Sequence, residues 1–266
     1  MEQLRIVRMK SRVSLVVLLR DSFLAAPPSD RKLEVRLANY PRRPVGKPDG
    51  TYIFNDLEPG EYELEIDSSY YFRETRLISV GTGNVIVQLP LLPLPSYPYR
   101  PSVTLIRAMV TDASGNPVRG ALVTAALSSE ECVVGRLAEE QTPEGAAEIA
   151  VSGLSVPAGC GDTFVLVGRG AKETRETVRI LDTIEYQKRF RLERPLEAAY
   201  SRGSMLLPVY RTRTTERGEI AVAFPGSAVE AYPASLSVRA QDGEPAVMDV
   251  TVRQGVTVSL GTWVLK

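Results

Sequence analysis

The chain has no histidine among its 266 residues. That absence removes Ser–His and Cys–His nucleophile pairs, imidazole acid–base catalysis and every histidine-containing zinc site. Carboxylates, lysine or tyrosine would have to carry any catalysis. Cysteine is nearly as scarce: Cys132 and Cys160 are too few for a disulfide scaffold or a four-cysteine zinc site. They could form one disulfide or stay as two reduced, partly buried thiols, and the sequence leaves both open. Neither sign of charge is in excess, with 32 Lys+Arg against 32 Asp+Glu. No segment has the basic surplus that nucleic acid or an anionic membrane surface would require, so neither is expected as a partner. No apolar run is long enough to span a membrane. Gly-x-Ser-x-Gly, P-loop, dinucleotide and CxxC signatures are all missing. The paired glycines of "VGTGNV" (80–85) and "VGRGAK" (167–172) have neither the Walker ending nor a helix behind them, so they read as hairpin turns. A chain without cofactor, metal or catalytic set is expected.

The N-terminus, "MEQLRIVRMKSRVSLVVLLRDSFLAAPP", superficially resembles a signal peptide, with basic residues ahead of an apolar run. The run from Val13 to Leu19 is short, and it breaks at Arg20-Asp21 where a leader should stay apolar. A short Val/Leu-rich strand buried on both faces accounts for it better. The expectation is a soluble chain without its own export signal, made in the cytoplasm and incorporated from there into a particle.

What the chain does have is strand grammar. Helical periodicity is nearly absent, and short runs rich in Val, Ile, Leu, Thr and Tyr recur between Gly, Pro, Asp and Ser. The first candidate strands are 12–20, 32–38, 51–55, 61–67, 73–80 and 84–89. In "PDGTYIFNDLEPGEYELEID" (48–67), Tyr52 and Phe54 share a face that Tyr62, Leu64 and Ile66 continue after the Pro59-Gly60 turn. Glu61, Glu63 and Glu65 alternate to water, so this acidic stretch reads as the wet side of a β-hairpin. In "TLIRAMVTDASGNPVRGALVTAAL" (104–127), two alternating strands flank Asp112–Pro117, whose residues each suit a turn. The further acidic ligands and terminal Glu of a calcium loop are missing there. The order of glycine turn, strand, loop and strand that begins at Gly50 recurs from Gly145 (142–192) and from Gly218 (215–265). "LPLLPLPSYPYRP" (Leu89–Pro101) reads as a semi-rigid spacer between units.

"VTDASGNPVRGALV" (110–123) and "DGTYIFNDLEPGEYELEI" (49–66) resemble the opening strands and the central hairpin of carboxypeptidase regulatory-like domains, which are small transthyretin-like β-sandwiches. The likeness thins over 140–192 and further over 195–266. It implies an all-β fold of tandem transthyretin-like (Ig-like) sandwiches: 1–92, a linker at 93–101, a second sandwich at 102–194, and a segment at 195–266. That last segment either completes the second sandwich or forms a trimmed third. No peptidase activity carries over, because the catalytic domain and its zinc ligands are absent. Such modules serve as structural or adhesive units of bacterial surface proteins and of phage-tail-like particles, and are classed near carbohydrate-binding sandwiches. The resemblance therefore implies a non-catalytic adaptor or spacer whose partners are other proteins of an assembly; a carbohydrate-binding or adhesive module is the alternative.

Few residues offer themselves as contacts. Tyr70, Tyr71 and Phe72, with Tyr97 and Tyr99, could stack on a glycan, and strict alternation would expose at least one ring of the first three. Arg42 and Arg43, with Lys47, form a basic loop that could meet an acidic partner surface. The adjacent pairs Glu130-Glu131 and Glu139-Glu140 would point to opposite faces of a strand, so they do not converge on a substrate.

Overall fold

The structure is a computed structural model and describes residues 11–169, 174–225, 229–240 and 243–265. The basic start of the N-terminal stretch and the end of "VGRGAK" lie outside these residues. The described chain is all-β, with one short 3-10 turn at Glu130–Cys132. No helix among the described residues is long and apolar enough to cross a membrane.

Seven strands build a first sandwich: β1 (Val13–Asp21), β2 (Glu34–Leu37), β3 (Val45–Gly46), β4 (Thr51–Asn55), β5 (Gly60–Asp67), β6 (Glu74–Val80) and β7 (Val85–Leu91). One sheet has the order β3-β4-β1-β7 and the other β2-β5-β6. The first and last strands run parallel, β1 on β7, while β4 lies antiparallel on the other flank of β1. Period-two alternation turns Leu15, Val17 and Leu19 of β1 onto Phe54, Leu64, Ile66 and Ile78. Each such fully buried side chain contributes about 2 kcal/mol. Val16 and Leu18, on the other face of β1, are only half-buried, so this strand is not covered on both sides.

The stretch 48–67 is not a hairpin. β4 and β5 lie in different sheets, and the chain crosses between them at Asp56–Gly60. Leu57 makes the crossing possible: its side chain enters the core and its amide donates to the buried Ser14 hydroxyl. The inward set Phe54, Leu64 and Ile66 is as the alternation gives it, but the two strands face each other across the core and share no ladder.

The second sandwich is discontinuous in sequence. β8 (Thr104–Thr111) and β9 (Leu122–Leu127) open it. The next eight strands build an inserted unit, the last of them also pairing back onto β9: β10 (Gly135–Leu137), β11 (Gln141–Thr142), β12 (Glu148–Ser152), β13 (Thr163–Val167), β14 (Arg175–Glu185), β15 (Arg189–Leu192), β16 (Tyr200–Ser201) and β17 (Met205–Arg213). The chain then returns with β18 (Glu219–Phe224), β19 (Ala231–Arg239), β20 (Ala246–Arg253) and β21 (Thr257–Val264). The sheet β18-β8-β21 has β18 antiparallel and β21 parallel to β8, the arrangement that β4 and β7 make on β1. The run β9-β19-β20 likewise matches β2-β5-β6. The glycine turns correspond too. Leu19 N–H donates to the Gly50 carbonyl at 3.0 Å, and Val110 N–H to that of Gly218 at 2.8 Å. Residues 219–264 therefore complete the sandwich that 104–127 begins, and 142–192, expected to complete it within 102–194, builds a different unit.

That inserted unit is a closed barrel. Pairing runs β10-β12-β15-β14-β13-β17 and returns from β17 to β10, antiparallel at every step. Closure leaves these six strands without a free edge around the ring. Ile149, Phe164, Leu166, Val178, Ile180 and Phe190 fill its interior. β17 belongs to two units: Met205–Val209 pairs with β13, and Val209–Arg213 with β9. Pro208 sits where one edge of β17 passes from β10, whose partners end at Leu206, to β9, whose partners begin at Val209. Its missing N–H interrupts no pairing there.

The proline-rich passage is not a spacer. Leu91, Pro93 and Tyr97 are buried in the first sandwich. Phe72 N–H donates to the Leu92 carbonyl at 2.9 Å, and Leu94 N–H to that of Tyr70 at 2.8 Å. Alternate residues turn inward, while Leu92 supplies a carbonyl acceptor and Leu94 the N–H that a proline would lack.

Candidate functional site

Asp21, at the end of β1, is fully buried. Its carboxylate accepts from the Tyr71 and Tyr97 hydroxyls, each at 2.7 Å, and from the Phe23 and Leu24 amides at 2.8 and 3.0 Å. The Tyr97 ring is the hub of an aromatic cluster, meeting Phe23, Tyr70, Tyr71 and Tyr99 with centroids 4.7 to 6.2 Å apart. A neighbouring turn holds this arrangement, where Asp30 accepts from Ser68, Ser69 and the Lys32 amide. Burial acts to raise the Asp30 pKa, but these hydrogen bonds outweigh it and hold the carboxyl below its ordinary range. Burial and the Asp21 carboxylate push the Tyr97 phenol up to about 12, and raise Tyr71 further.

The expected glycan platform is therefore not on the surface. Tyr71 is 0% and Tyr97 6% exposed, and Tyr70, Phe72 and Tyr99 are half-buried. The segment 70–72 is a bridge to Pro93 and not a free strand, so strict alternation does not govern which ring faces water. Sequence reading missed Asp21, whose only sign was that it ended an apolar run.

Beside this cluster the three units meet around a cleft of about 280 Å³. Arg20, from β1, pairs with Asp162 of the barrel at 2.9 Å and donates to the Pro157 carbonyl at 3.2 Å. Glu74, from β6, pairs with Arg213 of β17. Gln88 reaches Asp182 at 3.1 Å. Backbones are close as well: a Cβ at Gly161 would stand 2.3 Å from the Pro90 ring, so only glycine fits. Burial raises the Asp162 pKa even against Arg20, and raises the Cys160 thiol nearby.

The other candidates are dispersed. Cys132 and Cys160 are free thiols: Cys132 is packed in the core of the second sandwich, while Cys160 lies on the barrel against the Gln88 carbonyl of the first. The disulfide is not formed because the two belong to different packing environments. Arg42 and Arg43 are exposed on the loop before β3. Glu130 and Glu131 are exposed on the 3-10 turn, and Glu139 and Glu140 pair with Arg189 and Arg202 at 2.8 and 2.9 Å. Asp112 accepts from the Ser114 and Asn116 amides, so its oxygens close a turn.

The fold and site define an all-β protein of β-sandwich units. No family model matches the chain, and no curated protein matches it either. Solved structures similar to it include a DUF3823 family protein from Bacteroides ovatus, at 11% identity over 90% of this chain and 97% of that one, with a TM-score of 0.25. The major pilin subunit of Bacillus cereus is similar at 9% identity, over 94% and 70%, with a TM-score of 0.25. The shaft pilin of Lactobacillus rhamnosus GG is similar at 12% identity, over 94% and 96%, with a TM-score of 0.24. Likeness at this level carries no argument about function.

Proposed function

We propose that the chain is a non-catalytic structural protein, an adaptor or spacer that joins other proteins of a larger assembly through the open edge of its second sandwich. The observation that carries this reading is β20. It pairs with β19 over eight residues in unbroken register, and it ends its sheet, so among the described strands its other edge has no partner. Val247 on this strand is 62% exposed, and only Asp249 and Arg253 are charged. Natural edges are usually blunted by lysine, proline or a bulge; this one is an invitation to strand addition. The resemblance to carboxypeptidase regulatory-like modules, which act as spacers in surface proteins and particles, agrees with it. So does the use of the tyrosines and buried acids as internal ties.

The test is a tagged chain purified from its source beside a Val247→Lys, Thr251→Lys variant whose circular dichroism matches the parent. The parent should co-purify with partner proteins in fixed stoichiometry and the variant should lose them. A parent recovered alone, or a variant that keeps its partners, would overturn the reading.

A further inference from the structure

A chain of zero net charge carries a strongly cationic cleft where its three units meet. Five arginines, Arg20, Arg76, Arg179, Arg211 and Arg213, line it against two carboxylates, Glu74 and Asp162. Three of the five are committed: Arg20 to Asp162, Arg213 to Glu74, and Arg179 to Glu193 and the Gly161 carbonyl. The side chains of Arg76 and Arg211 have no ion-pair or hydrogen-bond partner among the described residues. Arg76 is exposed, where water suffices. Arg211 is half-buried on β17, and burial followed by the neighbouring Arg179 lowers its pKa, with Glu193 offsetting only part. A guanidinium stays charged in proteins, so its partly buried donors are left to water and to the neighbouring Glu193 charge.

Much of the rest of the lining is apolar, with Ser22, Thr163 and Thr212 interspersed. Phe23, Leu24, Pro90, Tyr99, Tyr210 and Ala223 face the same space. Its volume of about 280 Å³ is at the small end of ligand pockets. We infer that this cleft is a binding site for a small organic carboxylate, its two oxygens forked onto the Arg211 guanidinium and its apolar body against the aromatic wall. The planar fork of arginine matches a carboxylate bidentately. An inorganic oxyanion would satisfy the charge and leave the apolar wall unfilled. The inference is independent of the edge-docking reading, since β20 does not line the cleft.

Amide-shift titration of the full chain with benzoate, its neutral isostere benzamide and inorganic phosphate tests it, on the parent, Arg211→Gln and Arg211→Lys. Benzoate should give saturable shifts at amides of 161–163 and 211–213, and benzamide should bind at least about tenfold more weakly, the factor that losing a charge-assisted pair gives. Arg211→Gln should weaken benzoate by about tenfold or more, and Arg211→Lys by less, because lysine keeps the charge but not the fork. If Arg211→Gln does not fold, the benzoate–benzamide comparison on the parent still decides. No saturable binding, benzamide or phosphate binding as tightly as benzoate, or a folded Arg211→Gln with parental affinity would each overturn the site.

Discussion

Asp21 anchors the first sandwich because four donors converge on one buried carboxylate. Removing the acceptor strands two phenols and two amides away from water, so Asp21→Ala should destabilise the protein by roughly 3–5 kcal/mol in urea unfolding. Tyr71→Phe deletes one donor to a charged group and should cost about 2 kcal/mol. Equal stabilities for the parent and either variant would contradict the network. The same contacts set an alkaline limit. The Tyr97 phenol is held up to about 12 in the folded protein, against about 10 in an unfolded chain. Its stabilising contribution is thus complete below the unfolded value and is lost as pH rises from about 10 towards about 12. Tyrosinate absorbance and unfolding, followed together through that window, should move together, and the fall in stability should be shallower once Tyr97→Phe removes this group, the remainder coming from Tyr71, Tyr99, Tyr200, Tyr210 and Tyr232, whose phenols are raised as well.

The turns into β4 and β18 show a constraint on elements. Gly50 and Gly218 have φ of +80° and +78°, and a Cβ would come within 2.6 Å of the Leu19 carbonyl oxygen or 2.4 Å of that of Val110. Gly145 has the same φ of +80° with open space around it. Gly145→Ala should therefore cost only the left-handed strain, about 1–2 kcal/mol, whereas Gly218→Ala must also push a ladder carbonyl aside and should cost about 3 kcal/mol or more. Denaturation midpoints of the two variants check the order. Strands were legible because alternation is local: the expected runs from 12–20 to 84–89 fall within about two residues of β1, β2, β4, β5, β6 and β7. Partnership was not legible, because a period of two says which face a residue takes and nothing of which strand it will meet. Thr104–Thr111 finds Glu219–Phe224 across the whole barrel, and Tyr97 finds Asp21 across 76 residues. The aromatic cluster could be seen in the sequence; the carboxylate that draws it inward could not.

Over the whole molecule, the sandwiches and barrel are tied side by side and not strung on a linker. Arg20 and Asp162 are each about a fifth exposed, so Arg20→Ala leaves a mostly buried carboxylate unpaired and should cost about 2–3 kcal/mol. The loss falls on the seam between units. Calorimetry should then resolve the first sandwich melting apart from the rest, where the parent gives a single transition. A variant that still melts in one step at the parental temperature would show that the seam does not depend on this pair.

The barrel sits between β9 and β18, and that interruption sets a timetable for synthesis. The first sandwich and the barrel each draw their strands from one continuous stretch and can close as soon as that stretch has emerged. β8 and β9 have to wait, half a sandwich with an open core, until β18 to β21 arrive from more than ninety residues downstream. Their contacts are the least local in the chain, and loop-closure entropy makes such contacts late. Pulsed hydrogen exchange during refolding should protect β1, β5 and β13 before β8, and earlier protection of β8 would mean that the barrel helps to hold the waiting strands in place.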